Sequence, residues 1–463
     1  MNSPPESSSD LEEISSTQSL KEVVKEERLD FIDDAVRLDP KECVKRLGSS
    51  EGNIFHFAAL LDKVEFMDKA MKKLPRPVIQ SLLCQSSNEF YGQNPLHIAA
   101  KNENHKMVKI ILDFYRSSAS LPEAQSTTEA TGEKPWLGLD VKKRTPLHLA
   151  LERCNERIAL EILSMDVESL SGMEDWLHRG PLFTAMDNRL YRVALQILTS
   201  ALSCSLRGRA GYTVLFLAAH APDHIFKRLV EKAPHLIIGQ DHHYGSTVLH
   251  YWVMSGTLHP VEFVVDNDKI APDLRRDFID QLSTRTNKWG DNPLHCIIGS
   301  FNDDALSVKM AEVLVNAYKR ERAQLFSSPE FQPPWLMKNK AGDTPLHAAI
   351  EFKNEQLASY LLSLDPIKFL ENNDNLLFYS IKHECPKVAE DTLGIVLRNA
   401  SLTKLLTRDD DGKNALHFAP ECTVDIHTSS FTAYLLFSLK KSCHSLLCLS
   451  PNKTDCQYNS SFL

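Results

Sequence analysis

Apolar residues recur along this chain at the spacing of amphipathic helices. In one stretch the apolar positions are Met107, Val108, Ile111 and Leu112, and residues 357–362 repeat the arrangement with three leucines. Side chains three or four positions apart share one face of a helix, so each stretch predicts a helix with one buried side. Residues 20–38 show the same spacing, and residues 308–325 read as one longer amphipathic helix. Helices therefore dominate the predicted fold.

A short phrase precedes such helices and returns along the chain. Its four fullest copies are Asn94-Pro95-Leu96-His97, Thr145-Pro146-Leu147-His148, Asn292-Pro293-Leu294-His295 and Thr344-Pro345-Leu346-His347. Thr or Asn can cap a helix because its side-chain oxygen accepts a backbone N–H of the first turn. Proline suits the first helical position, where a missing N–H costs nothing. Each copy therefore predicts the start of a helix.

Weaker copies of the phrase extend the series to ten repeats. Their His, or the Phe that replaces it in three copies, stands near positions 56, 97, 148, 183, 216, 250, 295, 347, 378 and 417. The phrase, and the spacing of 33 to 35 residues in the middle of the series, resemble ankyrin repeats. That resemblance implies a His that hydrogen-bonds between repeats, and a surface that holds partners. We expect an all-α ankyrin-repeat solenoid of about ten units with short β-hairpin fingers.

The insertions between repeats recur at matching positions in the two halves of the series. Trp136 precedes His148 by 12 residues, and Trp335 precedes His347 by the same 12. The His or Phe of each of the first five repeats returns between 194 and 201 residues later. We interpret this register as a duplicated block of five repeats, the alternative being loops that were acquired independently.

These patterns divide the chain into five segments. We expect a disordered acidic and Ser-rich tail at 1–19 and N-terminal capping helices at 20–49. Repeats one to five occupy 50–249, with a loop insertion at about 117–141. Repeats six to ten occupy 250–420, with an insertion at about 320–338. An irregular C-terminal tail follows at 421–463.

Composition narrows the function classes. The net charge is −9, and residues 1–40 contribute eleven acidic against four basic side chains, so the repeats are close to neutral. A nucleic-acid platform needs a basic face, and we predict no nucleic-acid partner. The ten cysteines are mostly scattered and no signal peptide is apparent, which favours reduced thiols. The grouped Cys443, Cys448 and Cys456 with His444 match no trusted zinc spacing, so we expect no metal site.

Catalytic signatures are also missing from the sequence. We find no His-Glu-x-x-His, no phosphate-binding Gly-rich loop and no Gly-x-Ser-x-Gly elbow, so we predict no enzyme, no catalytic residue and no cofactor. The adjacent His242 and His243 lie in a predicted finger, where an exposed loop is favoured over a metal or catalytic role. Protein binding is the function that remains.

Aromatic residues on the fingers are the candidate partner-binding residues. Tyr91, Tyr244 and Trp289 each stand directly before a finger glycine. Tyr and Trp are enriched at interface hot spots, so we predict a partner-binding ridge that includes these three residues together with His242 and His243. The alternative, weighed equally, is that each tip aromatic packs on the neighbouring finger.

Beyond the repeat itself, the array resembles plant ankyrin proteins of the accelerated-cell-death type. The residues that carry this resemblance are the irregular loops, the degenerate first phrase Asn53-Ile54-Phe55-His56 and the variant Val248-Leu249-His250. It implies a scaffold in salicylic-acid-linked defence and cell-death signalling, with protein partners that include related ankyrin membrane proteins. The location it implies is cytoplasmic or peripheral at the cytosolic face of the plasma membrane.

The chain departs from that family after Pro420. It shows neither the family's Pro-Gly-Gly motif nor an apolar run of about 20 residues that could span a bilayer. We therefore expect no transmembrane span in this chain. A soluble, truncated isoform that regulates membrane-anchored relatives is the alternative function.

Overall fold

A computed structural model describes residues 20–119, 134–298, 304–323, 332–372 and 376–399. The chain divides into two compact units, Met1–His242 and His243–Leu463. Each unit is a series of short helices joined by turns, as the spacing of apolar residues predicts. The tenth repeat, around His417, and both predicted tails at 1–19 and 421–463 lie outside the described residues.

The first compact unit begins with helical residues 20–25 and with helices Leu29–Val36 and Pro40–Leu47. Its repeats then contain the helices Ile54–Leu60, Val64–Lys73, Arg76–Cys84, Pro95–Lys101, His105–Ala119, Pro146–Glu152, Glu156–Leu163, Val167–Gly172, Pro181–Asp187, Tyr191–Ser200, Val214–Leu217 and Asp223–Lys232. Short 3-10 turns cover Pro135–Leu137, Arg209–Gly211, Ala218–His220 and Pro234–Ile238. Strands Gly48–Ser49 and Gly52–Asn53 form an antiparallel hairpin with Gly48 opposite Asn53.

The second compact unit contains the helices Val248–Ser255, Leu258–Asp266, Pro272–Thr284, Asp304–Glu321, Pro345–Glu351, Glu355–Leu364, Pro366–Asn372, Leu376–Lys382 and Pro386–Arg398. Its 3-10 turns are Pro293–Ile298 and Pro334–Leu336. Two details correct the sequence-based expectation. The phrase at His295 forms a 3-10 turn rather than an α-helix, and the long helix begins at Asp304 and ends at Glu321 rather than covering 308–325.

The repeated phrase begins its helix by a reciprocal cap. The Asn94 side chain accepts the backbone N–H of His97 at 3.0 Å, and the Asn94 N–H donates to His97 Nδ1 at 3.2 Å. Thr145 and His148 repeat this exchange, as do Thr247 and His250. Such a cap satisfies two groups that the first turn of a helix would leave unpaired.

Each helix pair buries the apolar face that the sequence predicts. Met107, Val108, Ile111 and Leu112 are fully buried, and so is Leu357 in the second compact unit. Burial of one such side chain contributes about 1.5–3 kcal/mol. The polar fingers are left at the surface, and they are the elements that position the candidate site.

Candidate protein-binding surface

An acidic or amide side chain builds the turn of four fingers. Asp140 Oδ1 accepts the backbone N–H groups of Lys142 at 2.8 Å and Arg144 at 2.9 Å. Asp175, Asn287 and Asn339 accept the corresponding two N–H groups in their own fingers. Because one oxygen holds two donors, it closes the turn and keeps the residues at the tip of the finger at the surface.

Backbone hydrogen bonds join each finger to its neighbour. In the first compact unit the N–H of Val141 donates to Tyr91 O at 3.0 Å, and the N–H of Trp176 donates to Lys142 O at 3.0 Å. In the second, the N–H of Lys288 donates to Tyr244 O at 2.8 Å, and the N–H of Lys340 donates to Trp289 O at 3.0 Å. The fingers of each unit therefore form a ladder that fixes the spacing of their tips.

The histidine of the phrase links its helix to the next finger. His97 Nε2 lies 2.9 Å from Arg144 O, and His295 Nε2 lies 3.0 Å from Asp343 O. His56, His148 and His250 make the same contact with the finger that follows each of them. Burial lowers the pKa of His56 and His97 to about 4, so both imidazoles are neutral at neutral pH. These histidines are structural links between repeats.

Comparison with known proteins agrees with this architecture. A model of three ankyrin repeats matches residues 55–171, and a single-repeat model matches residues 341–367. The chain carries ankyrin repeats. The described residues fold as ankyrin repeats and include a small two-stranded sheet, as the sequence predicts. Ankyrin repeats are interaction modules, and here they indicate a scaffold for protein–protein interactions.

One solved structure that the chain matches is the ankyrin repeat domain of Bcl-3, described as a unique member of the IκB protein family. It is 18% identical to this chain, covers 58% of this chain and 98% of its own, and has a TM-score of 0.37. No curated protein sequence matches the chain.

Two of the predicted tip aromatics stack in the second compact unit. The rings of Tyr244 and Trp289 are 5.6 Å apart at an interplanar angle of 16°. The Lys288 ammonium lies 4.3 Å from the Tyr244 ring centre and 4.7 Å from that of Trp289. Packing between neighbouring ankyrin fingers, the alternative to a binding role, is therefore present for this pair. Trp289 is nevertheless 51% exposed, so a large part of its surface stays accessible.

Tyr91 belongs to a different group in the first compact unit. It is 67% exposed, and the next two ankyrin fingers present Val141 at 68% and Trp176 at 54% exposure. We call Tyr91, Val141 and Trp176 the finger-tip row. Its three members lie on consecutive fingers that the backbone ladder connects. Large exposed apolar side chains on adjacent, connected fingers are typical of an interaction surface.

The histidine pair lies on the finger before the sixth repeat, and both side chains are exposed. The backbone N–H of His242 donates to Ala210 O at 2.9 Å. This bond connects His242 to the fifth finger, which covers residues 207–213. The His243 ring lies 4.2 Å from the Tyr244 ring. His243 thus adjoins the aromatic stack, whereas His242 belongs to the ladder of the first compact unit.

Val141 and Trp176 were missed in the sequence because the search for tips relied on glycine. The tips of their fingers contain none; Lys143 at φ 55° and His178 at φ 60° adopt the left-handed conformation there instead. A better signal was present. An Asp or Asn lies eight residues before the His or Phe of four repeats, at 140, 175, 287 and 339, and the residue after it begins the tip.

A partly buried ion-pair network joins the fingers that carry Val141 and Trp176. Arg144 binds Asp140 at 2.8 Å and Glu152 at 2.8 Å, while Arg179 binds Asp175 at 2.7 Å and the same Glu152 at 2.8 Å. Burial alone would raise the pKa of Asp140, but hydrogen bonds from Arg144 outweigh it and keep that pKa below its usual value. The network holds two neighbouring ankyrin fingers in one register.

Other chemistry is not evident in the described part of the chain. Those residues include no group of three or more His, Cys, Asp or Glu side chains that could hold a metal ion. The grouped Cys443, Cys448, Cys456 and His444 lie outside them. Within the same ranges, no helix combines the length and the apolar character needed to cross a bilayer.

Proposed function

We propose that this ankyrin scaffold binds a protein partner through the finger-tip row of its first compact unit. The observation that carries the proposal is the exposure of Tyr91, Val141 and Trp176 on consecutive fingers that backbone hydrogen bonds connect. A rigid array of exposed aromatic and branched side chains loses little conformational entropy on binding. Tyr and Trp are also the residue types that contribute most at protein interfaces.

The aromatic stack of Tyr244 and Trp289, with His243 beside it, is a second candidate surface. Its exposed part is the accessible half of Trp289 and the Lys288 side chain. Because the stack already satisfies one face of each ring, we assign it the smaller share of partner binding. The finger-tip row, which adds two residues to the predicted Tyr91, is the primary site.

Capture of partners by the full chain tests this assignment. We expect the combined variant Tyr91→Ser, Val141→Ser, Trp176→Ser to lose partners that the unaltered chain retains from an extract and that mass spectrometry identifies. A photoreactive residue at position 141 should cross-link to the same proteins. The matched control is Leu38→Ser, Leu60→Ser, Leu202→Ser, which removes three exposed apolar side chains outside the finger tips. Equal capture by both variants would contradict the proposal.

The biological setting is proposed from the resemblance to plant ankyrin proteins of the accelerated-cell-death type. A defence scaffold should recruit its partners when salicylic acid accumulates, and should be found in the cytoplasm or at the cytosolic face of the plasma membrane. A fluorescent fusion imaged before and after salicylic acid treatment tests both points. A truncated isoform that regulates membrane-anchored relatives remains the alternative, and recovery of such relatives among the captured partners would favour it.

A further inference from the structure

The finger tips of the first compact unit also carry an unbalanced positive charge. Lys142 and Lys143 lie beside Val141, and Arg207 and Arg209 lie on the fifth finger. All four side chains are exposed, and within the described residues none of them forms an ion pair. We call these four residues the basic tip patch. An exposed cation that forms no ion pair is well placed to meet a negative group on another molecule.

The patch and the finger-tip row occupy connected fingers. The N–H of Trp176 donates to Lys142 O, and the N–H of Gly180, at the base of the same finger, donates to Arg207 O at 3.2 Å. Arg207 faces Thr213 across the antiparallel bridge that closes the fifth finger. The third finger (residues 140–144), the fourth (175–179) and the fifth (207–213) are therefore connected in sequence order. Val141 and Trp176 are the large exposed apolar residues of the third and fourth fingers.

Acidic side chains near this series are buried or half-buried and already accept hydrogen bonds from their neighbours. Asp140 and Asp175 have fully buried side chains that bind Arg144 and Arg179. Glu152 accepts from both of those arginines, and Glu174 accepts the Ser205 hydroxyl. The exposed Glu89 lies on the finger of Tyr91, which precedes that of Lys142. On the three fingers that carry Val141, Trp176 and Arg209, the exposed charged side chains are basic.

We infer that the partner segment bound here is an acidic peptide that also carries apolar side chains. This inference rests on the proposed function and names the chemistry of its partner. Carboxylates would meet the two lysines and two arginines, and arginine binds a carboxylate through two parallel hydrogen bonds. Apolar side chains would pack on Val141 and Trp176. Charge complementarity of this kind raises association rates and excludes partners of the wrong sign.

A nucleic acid would meet the same cations, but the apolar members fit it less well. Single strands are held by aromatic rings on which successive bases stack. Here Val141 offers no ring, and the Lys142 ammonium lies 6.0 Å from the ring centre of Trp176. A peptide with alternating acidic and apolar residues matches both sets of side chains.

Fluorescence anisotropy with labelled 12-residue probes tests the inference on the full chain. One peptide alternates Glu with Leu or Phe, the second has Gln in place of Glu, and the third has Ser in place of the apolar residues. A single-stranded oligonucleotide is the fourth probe. We expect the first peptide to bind about tenfold more tightly than the other probes, and its affinity to fall as salt concentration rises.

Two matched charge variants complete the experiment. We expect Lys142→Gln, Lys143→Gln, Arg207→Gln, Arg209→Gln to weaken binding of the acidic, apolar peptide about tenfold. The control Lys106→Gln, Lys109→Gln, Arg153→Gln, Arg157→Gln removes the same charge from exposed positions outside the fingers and should retain affinity. Thermal unfolding of both variants shows that they are folded.

Several results would overturn the inference. They are equal binding of the Gln-containing peptide, equal loss in the control, or tighter binding of the oligonucleotide. Failure here is separable from failure of the proposed function. If the Ser-substituted finger-tip row loses captured proteins but the charge variant keeps all of them, the binding surface stands and the acidic partner is wrong. If the variant with the Ser-substituted finger-tip row keeps the captured proteins, the assignment of the binding surface is itself wrong.

Discussion

The two compact units use the same ladder of fingers but balance its polar groups differently. In the first, Asp140 and Asp175 are paired with Arg144 and Arg179, which share Glu152. In the second, Asn287 and Asn339 hold the turns instead. Asn339 Nδ2 donates to Asp291 Oδ1 at 2.9 Å, and Asn287 Nδ2 lies 3.3 Å from Asp291 Oδ2. One unit relies on full charges and the other on amides around a single carboxylate.

This difference shows which feature of the turn residue the fingers require and which feature can vary. Each of these turns needs a side-chain oxygen that accepts two N–H groups, and Asp or Asn can supply it. Once that oxygen is buried, its charge must be compensated, and arginine is one solution. Asn carries a neutral amide, so its burial requires no compensating charge. For predicting such a finger from sequence, the presence of a side-chain acceptor at the turn position therefore matters more than whether the residue is Asp or Asn.

Other features correspond between the units in sequence order. Asn94 Nδ2 donates to Pro135 O at 2.8 Å, and Asn292 Nδ2 donates to Pro334 O at 2.8 Å, so both Pro-Trp-Leu turns are anchored alike. A third helix follows the first repeat of each unit, at Arg76–Cys84 and Pro272–Thr284. These correspondences support our proposal of a duplicated five-repeat block. Superposition of the units, each taken alone, would test it.

Acidification should give the largest change in the free energy of unfolding, and it should do so in both units. The pKa of His56, His97 and His347 is lowered to about 4 by burial, against 6.5 when unfolded. The unfolded chain takes up protons first, so stability is complete above pH 6.5 and falls as pH decreases toward 4. At pH 5 each of the three should cost about 2 kcal/mol. Hydrogen exchange followed by mass spectrometry, corrected for intrinsic rates, reports each unit separately; unchanged protection in either unit would contradict this.

Removal of Asp140 should give the next largest effect, confined to the first unit. Asp140→Ala leaves Arg144 without its main partner and the turn without its acceptor, at a cost of about 3 kcal/mol. Asp140→Asn introduces the residue type that the second unit uses, so we expect a smaller loss. Asn339→Ala, which removes neutral hydrogen bonds only, should cost about 1 kcal/mol. Urea unfolding measures all three, and equal costs for Asp140→Ala and Asn339→Ala would remove the distinction between the units.

The stacked pair should contribute moderately to stability. Tyr244→Ala with Trp289→Ala removes two rings 5.6 Å apart, and we expect a loss of about 1 kcal/mol beyond the buried area. A lower melting temperature for this double variant would show that the pair packs fingers together. An unchanged melting temperature would instead show that the pair does not stabilise the fingers, which would favour the binding role.

The smallest effect is expected at the finger-tip row. Tyr91→Ser and Trp176→Ser remove side chains that are more than half exposed, and each should change stability by less than about 0.5 kcal/mol. Thermal unfolding of the single variants checks this. A loss comparable with that of the stacked pair would mean that the row stabilises the fingers and would weaken its assignment as a binding surface.

Much of the fold could be predicted from the phrase and its spacing. The phrase carries its own cap, proline and buried leucine, so the starts of helices such as Pro95–Lys101 depend on local residues. The 3-10 turn at Pro293–Ile298 could not be read from that phrase, because its sequence closely matches phrases that form α-helices. Tyr91, Tyr244 and Trp289 were predicted as finger residues, but the pairing of two of them depends on which fingers lie side by side. Their binding role stays a prediction.

The histidine links also determine how the chain would respond to a stretching force. Each linking histidine bonds the cap of its own helix and the carbonyl of the next finger, so neighbouring repeats share the load. Phe183, Phe216 and Phe378 stand at the corresponding positions and cannot form that bond. A pulled chain should therefore begin to separate at the phenylalanine repeats, while the histidine repeats still hold. Whatever attaches at the finger-tip row near Tyr91 and Val141 would then be bound to the part that yields last.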